Sequence, residues 1–143
     1  MKLARLIELA HRQGHRQWAK AGGHLGMTHS EYEYLRAIQD QEARKTDKDN
    51  HGQHLQDVVD EMGVRKASAS AMVLKLEERG LVVRFPCQYD ARAQHIMLTE
   101  QGQTLLSSGE EIYEGAAQAL LAGLSEYDIE ALKIAIDQLG KSG

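Results

Sequence analysis

The sequence predicts a mainly α-helical fold carrying one small β-hairpin. Three observations carry that expectation. Apolar residues recur at helical spacing through most of the 143-residue chain. Proline occurs once, at Pro86. Two short stretches, Leu81–Phe85 and Gln94–Leu98, read instead as strands.

The elements follow in order. Leu3, Leu6, Ile7 and Ala10 share one face of a first helix from Leu3 to about Lys20. Gly22, Gly23 and Gly26 break it. Thr28-His29-Ser30-Glu31 has capping-box spacing and opens a second helix, whose apolar side is Tyr32, Leu35, Ile38 and Tyr34. Asp40–Gly52 (DQEARKTDKDNHG) is polar throughout and reads as a mobile loop. A short third helix covers about Leu55–Met62, with Val58, Val59 and Met62 inward and Gly63 as its stop. A fourth begins near Ala67, buries Met72, Val73 and Leu76, and stops at Gly80. Leu81–Phe85 is β-branched and aromatic, Pro86 ends it, Cys87–Ala93 is a loop, and Gln94–Leu98 returns. Thr99 caps a long fifth helix. Ser125-Glu126-Tyr127-Asp128 opens a sixth, with Ile129, Leu132, Ile136 and Leu139 at helical spacing.

Composition narrows the class. Hydrophobic residues at 42% and charged residues at 27% suit a soluble globular domain. One cysteine, Cys87, builds no intramolecular disulfide, so a reducing cytoplasm is expected. The start, MKLARLIELAHRQGHRQW, is broken by Arg5, Glu8, His11 and Arg12, unlike a signal peptide or a membrane span. A net charge of −4 argues mildly against a polyanionic partner. Its distribution is uneven, however. Lys2, Arg5, Arg12, Arg16 and Lys20 face only Glu8 in the first twenty residues, while Glu110, Glu111, Glu114, Glu126, Asp128, Glu130 and Asp137 crowd the C-terminal stretch.

Short helix, glycine turn, second helix, then hairpin is the order of a helix-turn-helix followed by a wing. In such a unit the third helix braces the fourth, which offers its N-terminal half to the major groove of DNA. Here the sequence resembles the MarR family of bacterial regulators, from about Gly26 to Gly102. Leu25-Gly26-Met27-Thr28 is similar to the family's lead into its second helix. Gly63-Val64-Arg65-Lys66-Ala67-Ser68-Ala69-Ser70 is similar to its turn and recognition-helix start. Leu76-Glu77-Glu78-Arg79-Gly80-Leu81-Val82 resembles the passage into the wing. Arg84, Pro86, Asp90-Ala91-Arg92 and Leu98-Thr99-Glu100-Gln101-Gly102 fall at the family's wing spacing.

The resemblance implies one domain over residues 1–143: a winged-helix DNA-binding part at 26–102 and dimerisation helices at 1–25 and 103–143. It implies a homodimer with intertwined terminal helices and an effector pocket between the two parts. It places Arg92 in the minor groove from the wing tip, with Asp90 holding its guanidinium. An exposed hairpin arginine also suits a narrow, negative groove on physical grounds.

Candidate DNA contacts are Ser68 and Ser70, to base edges or phosphate, and Arg65, Lys66, Lys75 and Arg84, to phosphate. The chain departs from the family at Ala67, Ala71 and Leu74, where polar or charged residues are usual, so direct readout is expected to be thin. Trp18, Met27, Tyr32 and Tyr113 are candidates for the effector pocket, though the same residues suit a core or dimer interface.

Other chemistries find less support. The pairs His11/His15 and His51/His54 have zinc-compatible spacing but no fixed acidic or cysteine partner, so no metal or cofactor is expected. Cys87 has no partner cysteine for redox sensing. No phosphate loop, nucleophile elbow or metal triad points to an enzyme. The expected function is a dimeric, sequence-specific, ligand-responsive repressor binding double-stranded DNA. The alternative is a winged-helix protein-interaction module without DNA binding. It rests on the acids between Gly52 and Gly102, which slightly outnumber the bases.

Overall fold

The computed structural model describes residues 1–44, 54–86 and 94–139. Its elements are α1 (Leu3–Ala21), a 3₁₀ turn (Gly22–Leu25), α2 (His29–Arg44), α3 (Leu55–Met62), α4 (Lys66–Glu78), β1 (Val82–Pro86), β2 (Gln94–Leu98), α5 (Glu100–Leu121) and α6 (Glu126–Ile136). The fold class expected from the sequence is the one observed. β1 and β2 pair antiparallel, Val82 opposite Leu98 and Pro86 opposite Gln94.

The core forms where α2, α3, α4 and the hairpin meet. Leu35, Ile38, Val58, Val73, Leu76, Leu81 and Ile96 are all buried there. α1 lies along α5 and reaches the core only through its C-terminal half, where Gly14 and Trp18 are buried. α6 buries none of its residues.

Two boundaries differ from the sequence reading. α2 continues past Asp40 to Arg44, where a loop was expected from polarity alone. Gln41, Glu42 and Arg44 are good helix formers, and tertiary contacts hold the extension. Asp40 lies 3.6 Å from Arg36 at the i, i+4 spacing, and Gln41 Nε2 donates to Glu61 at the end of α3 at 2.9 Å. Residues 45–52 of the expected loop lie outside the described residues. At the other end, α6 stops at Ile136, so Leu139 continues the apolar repeat beyond the helix.

The caps behave as their sequences dictate. Ser125 Oγ accepts from the Asp128 amide and Thr99 Oγ1 from the Gly102 amide. At α2 the capping box is reciprocal: the Glu31 amide donates to Thr28 Oγ1 at 3.0 Å, and the Thr28 amide to Glu31 Oε1 at 2.9 Å. Glu31 is only 2% exposed. Its other carboxylate oxygen accepts from Arg79, the C-cap of α4. Arg79 also donates to the Gly26 carbonyl at 2.6 Å. Burial pushes the Glu31 carboxyl up, but the Thr28 amide and the Arg79 guanidinium outweigh it and hold the carboxyl below its ordinary 4.5.

That depressed value fixes a sign. A carboxylate stabilised on folding contributes above its unfolded pKa, and the contribution is lost as pH falls through the folded one. Glu31→Gln should therefore destabilise the protein at pH 7 by about 1–3 kcal/mol, reduced from a fully buried pair because Arg79 is one-third exposed. In urea titrations the gap between wild type and variant should narrow once the pH drops below 4.5. A gap that widens with acid would contradict this account of the clamp.

Candidate nucleic-acid interface

The turn between α3 and α4 is made by Gly63. Its φ of +64° is left-handed, and its amide returns to the Val59 carbonyl at 2.9 Å. Arg65 then takes the N-cap position of α4 with extended backbone. Inward, Ala69, Val73 and Leu76 are fully buried. At 3.6 residues per turn, that buried stripe sets the opposite face. It carries Ala67, Ala71, Leu74 and Glu78, with Ser70 on one flank and Ser68 and Lys75 on the other. All seven are exposed, Leu74 to 46%.

The charged groups divide into two sets. Arg65, Lys66 and Lys75 are exposed and make no ion pair among the described residues. They are available to an anionic ligand, Arg65 and Lys66 close to the amides at the start of α4 and Lys75 in its last turn. Arg79 and Arg84 are engaged. Arg84 Nη2 donates to Glu77 Oε1 at 2.7 Å, locking β1 to the last turn of α4. That bond raises the Arg84 pKa and lowers that of Glu77. A phosphate contact by Arg84 would have to compete with Glu77.

Asp90 and Arg92 at the expected wing tip, and Cys87 beside them, lie outside the described residues, as does His51. His11 and His15 are exposed on α1, and the His54 ring sits 4.9 Å from that of the buried His95. Among the described residues, no three His, Cys, Asp or Glu side chains gather as a metal ion would require. Nor is any described helix long and apolar enough to cross a membrane.

A groove of about 490 Å³ opens between α2, the end of α3 and α5. Tyr32, Glu33, Arg36, Asp40, Met62 and Tyr113 line it. Tyr32 and Tyr113 stack at 5.4 Å, while Trp18, 5.0 Å from Tyr32, and Met27 are buried in the core. Of the four residues expected at a pocket, two line the groove and two do not. The sequence reading missed Arg36, which donates to Glu110 on α5 at 2.5 Å across 74 positions of chain, a pairing that no local pattern signals. Burial and the Glu33 charge raise the Tyr113 pKa.

A family model described as "MarR family" matches residues 25–93. Among solved structures, wild-type MarR from E. coli superimposes with a TM-score of 0.75 at 18% identity, covering 98% of this chain and 97% of that one. MepR of S. aureus, solved in complex with DNA, gives 0.66 at 18% identity over 100% and 99% of the two chains. CouR from Rhodococcus jostii, solved with p-coumaroyl-CoA bound, gives 0.64 at 20% identity over 99% and 90%. The model of the MarR family is thus matched over α2, the turn, α4 and β1, and the fold of the MarR-family structures is shared over nearly the whole length of this chain.

Proposed function

We propose that this chain is a dimeric, sequence-specific DNA-binding transcriptional regulator whose affinity for double-stranded DNA responds to a small molecule. The observation that carries the reading is the surface of α4: three uncommitted cations, Arg65, Lys66 and Lys75, around an outward face with Ser68 and Ser70 on its flanks. The cations are suited to phosphate, and the serines to phosphate or base edges. MepR in complex with DNA lends support through the shared fold. Arg84 joins the interface only by releasing Glu77. Arg92, oriented by Asp90, is assigned to the minor groove on the family resemblance and its place between the strands. Repression and a cytoplasmic location rest on the same resemblance. The role is binding rather than catalysis.

Residues 26–102 are assigned to DNA and residues 1–25 and 103–143 to dimerisation. The terminal stripes support the second assignment. Leu3 and Ile7 are 81% and 71% exposed, and Ile136 and Leu139 are exposed at the other end. An apolar groove of about 550 Å³ lies between α5 and α6, lined by Ala117, Leu121, Leu124 and Ile129 among others. The first turns of a partner's α1 carry the apolar residues to fill it, and a two-fold axis would satisfy both copies at once.

The groove between α2, α3 and α5 is the proposed effector site. Tyr32 and Tyr113 supply flat faces, with Trp18 and Met27 packed behind as support. A ligand there would touch Met62, one residue before the Gly63 turn into α4, and so bias the angle of the recognition helix. CouR with its bound thioester gives a precedent within the fold. A protein-binding role for the α4 face finds support in one observation, the apolar row of Ala67, Ala71 and Leu74.

Salt separates the two readings. Binding to a duplex selected from genomic fragments should weaken steeply as salt rises, because Lys and Arg displace condensed counterions. No retained duplex, or a flat salt response, would favour the protein partner instead. Arg92→Ala should weaken specific binding by about 1–3 kcal/mol in the same titration, and unchanged affinity would make the wing a bystander. Leu132→Asp with Ile136→Asp should yield a monomer by light scattering that no longer binds specifically, since two half-sites engaged together supply effective concentration. A monomeric variant that still binds its operator normally would overturn the dimer account.

A further inference from the structure

We infer that α4 reads its site chiefly through thymine methyl groups. The row Ala67, Ala71 and Leu74 would pack against the 5-methyls in the major groove where related helices would place hydrogen-bonding side chains. This deepens the DNA-binding reading and rests on it.

The inference starts from the helix's geometry. Ala69, Val73 and Leu76 are fully buried, so the residues diametrically opposite must meet whatever α4 docks against. Hydrogen-bonded discrimination of bases needs Arg, Lys, Asn, Gln or an acid at those positions, reaching two groups on one base edge. The outward row has none before Glu78, at the last position of the helix. The long cationic chains stand elsewhere: Arg65 and Lys66 at the N-terminus, and Lys75 on a flank with Ser68. Those positions suit phosphates along the groove's edges. What remains at the centre is two Cβ methyls and an exposed leucine.

The major groove offers one apolar group to match them, the C5 methyl of thymine. Alanine at both leading positions also lets the helix backbone sit deep, because nothing longer than a methyl intervenes. The spacing is compatible. Ala67 and Ala71 are one turn apart, about 6 Å along the axis. That is close to two base-pair steps of about 3.4 Å. Each half-site is thus expected to present thymines about two steps apart, with a third contact open to the longer Leu74. Burying Leu74 also removes apolar surface that is 46% exposed in the free protein.

The test uses the full-length protein and duplexes selected by it from a random pool. The selected half-sites should carry thymines at their centre. Each central thymine is then replaced singly by deoxyuridine, which removes the methyl and leaves every hydrogen-bonding group in place. Affinity should fall about fourfold for each methyl contacted, the equivalent of one buried carbon. The ratio between thymine and uracil duplexes should stay constant as salt rises, whereas both affinities fall. Ala71→Gly should bring that ratio toward one at its own position, and Ala71→Ser, milder for the helix, should lower it. Equal affinity for thymine and uracil at every central position would overturn the methyl readout while leaving DNA binding intact. A protein that retains no duplex at all would overturn both.

Discussion

The contact between the buried Glu31 and the partly exposed Arg79 is the constraint on which the geometry of the molecule depends. One carboxylate closes the first turn of α2 onto Thr28, and its second oxygen holds the guanidinium that ends α4. The same guanidinium reaches the Gly26 carbonyl, just ahead of that turn. The lead into α2 and the end of α4, 48 to 53 positions apart in sequence, are fixed to one another through two side chains. An ion pair of this kind adds little net stability, since the carboxylate loses its water to make it. Its value here is directional. It sets the position of the C-terminal end of α4, and so the direction in which the exposed row on that helix faces.

The chain leaves that clamp through a turn held from the other side. Gly80 takes a φ of +74°, Thr99 Oγ1 donates to its carbonyl at 2.7 Å, and the Thr99 amide donates to Leu81 at 3.0 Å. Gly102, in the first turn of α5, packs so closely that a Cβ would stand 2.1 Å from the Leu81 carbonyl oxygen. The end of the recognition helix, the root of the hairpin and the start of the long helix therefore meet in one knot of backbone. Farther along α5, Gly109 lies under the Tyr32 ring, where a Cβ would come within 2.4 Å. α5 thus touches both the knot and the aromatic groove, giving the groove a second physical route to α4 besides Met62.

Local signals were legible in the sequence, and distant ones were not. The capping box at Thr28, the N-cap at Ser125, the glycine stop at Gly63 and the buried residues Val73 and Leu76 all depend on residues within one or two turns, and each falls where its spacing puts it. Apolar spacing, the single proline and two β-branched stretches carried the fold class. Polarity misled at Asp40–Arg44, where ion pairing and the contact with α3 keep a charged segment helical. Arg84 read as a phosphate contact and the role of Arg79 went unread, because nothing local announces a partner across a hairpin root or one 48 residues away. Trp18 and Tyr113 both read as pocket residues, and only packing separates the buried one from the half-exposed one. Departures at Ala67, Ala71 and Leu74 were visible, but their meaning needed the buried face that defines outward.

The net charge of −4 poses a difficulty for a DNA-binding reading that pairing largely resolves. Electrostatic attraction depends on charges left uncompensated at the docking face, since compensated pairs present little field beyond a Debye length of about 10 Å. Glu31 and Glu77 are neutralised by Arg79 and Arg84, and Arg36 offsets one of the two charges of Glu110 and Asp40. Arg65, Lys66 and Lys75 keep their charge on the α4 surface against Glu78 at the end of that helix, whereas Glu126 and Asp128 sit on α6, assigned to the partner subunit rather than to DNA. A protomer with so few uncommitted cations would gain modest affinity from phosphates alone. Duplication through a two-fold axis doubles them without adding a charge to the sequence, and an apolar reading row costs no desolvation of buried polar groups. On this account affinity comes from symmetry and phosphate, and discrimination from fit to methyl groups.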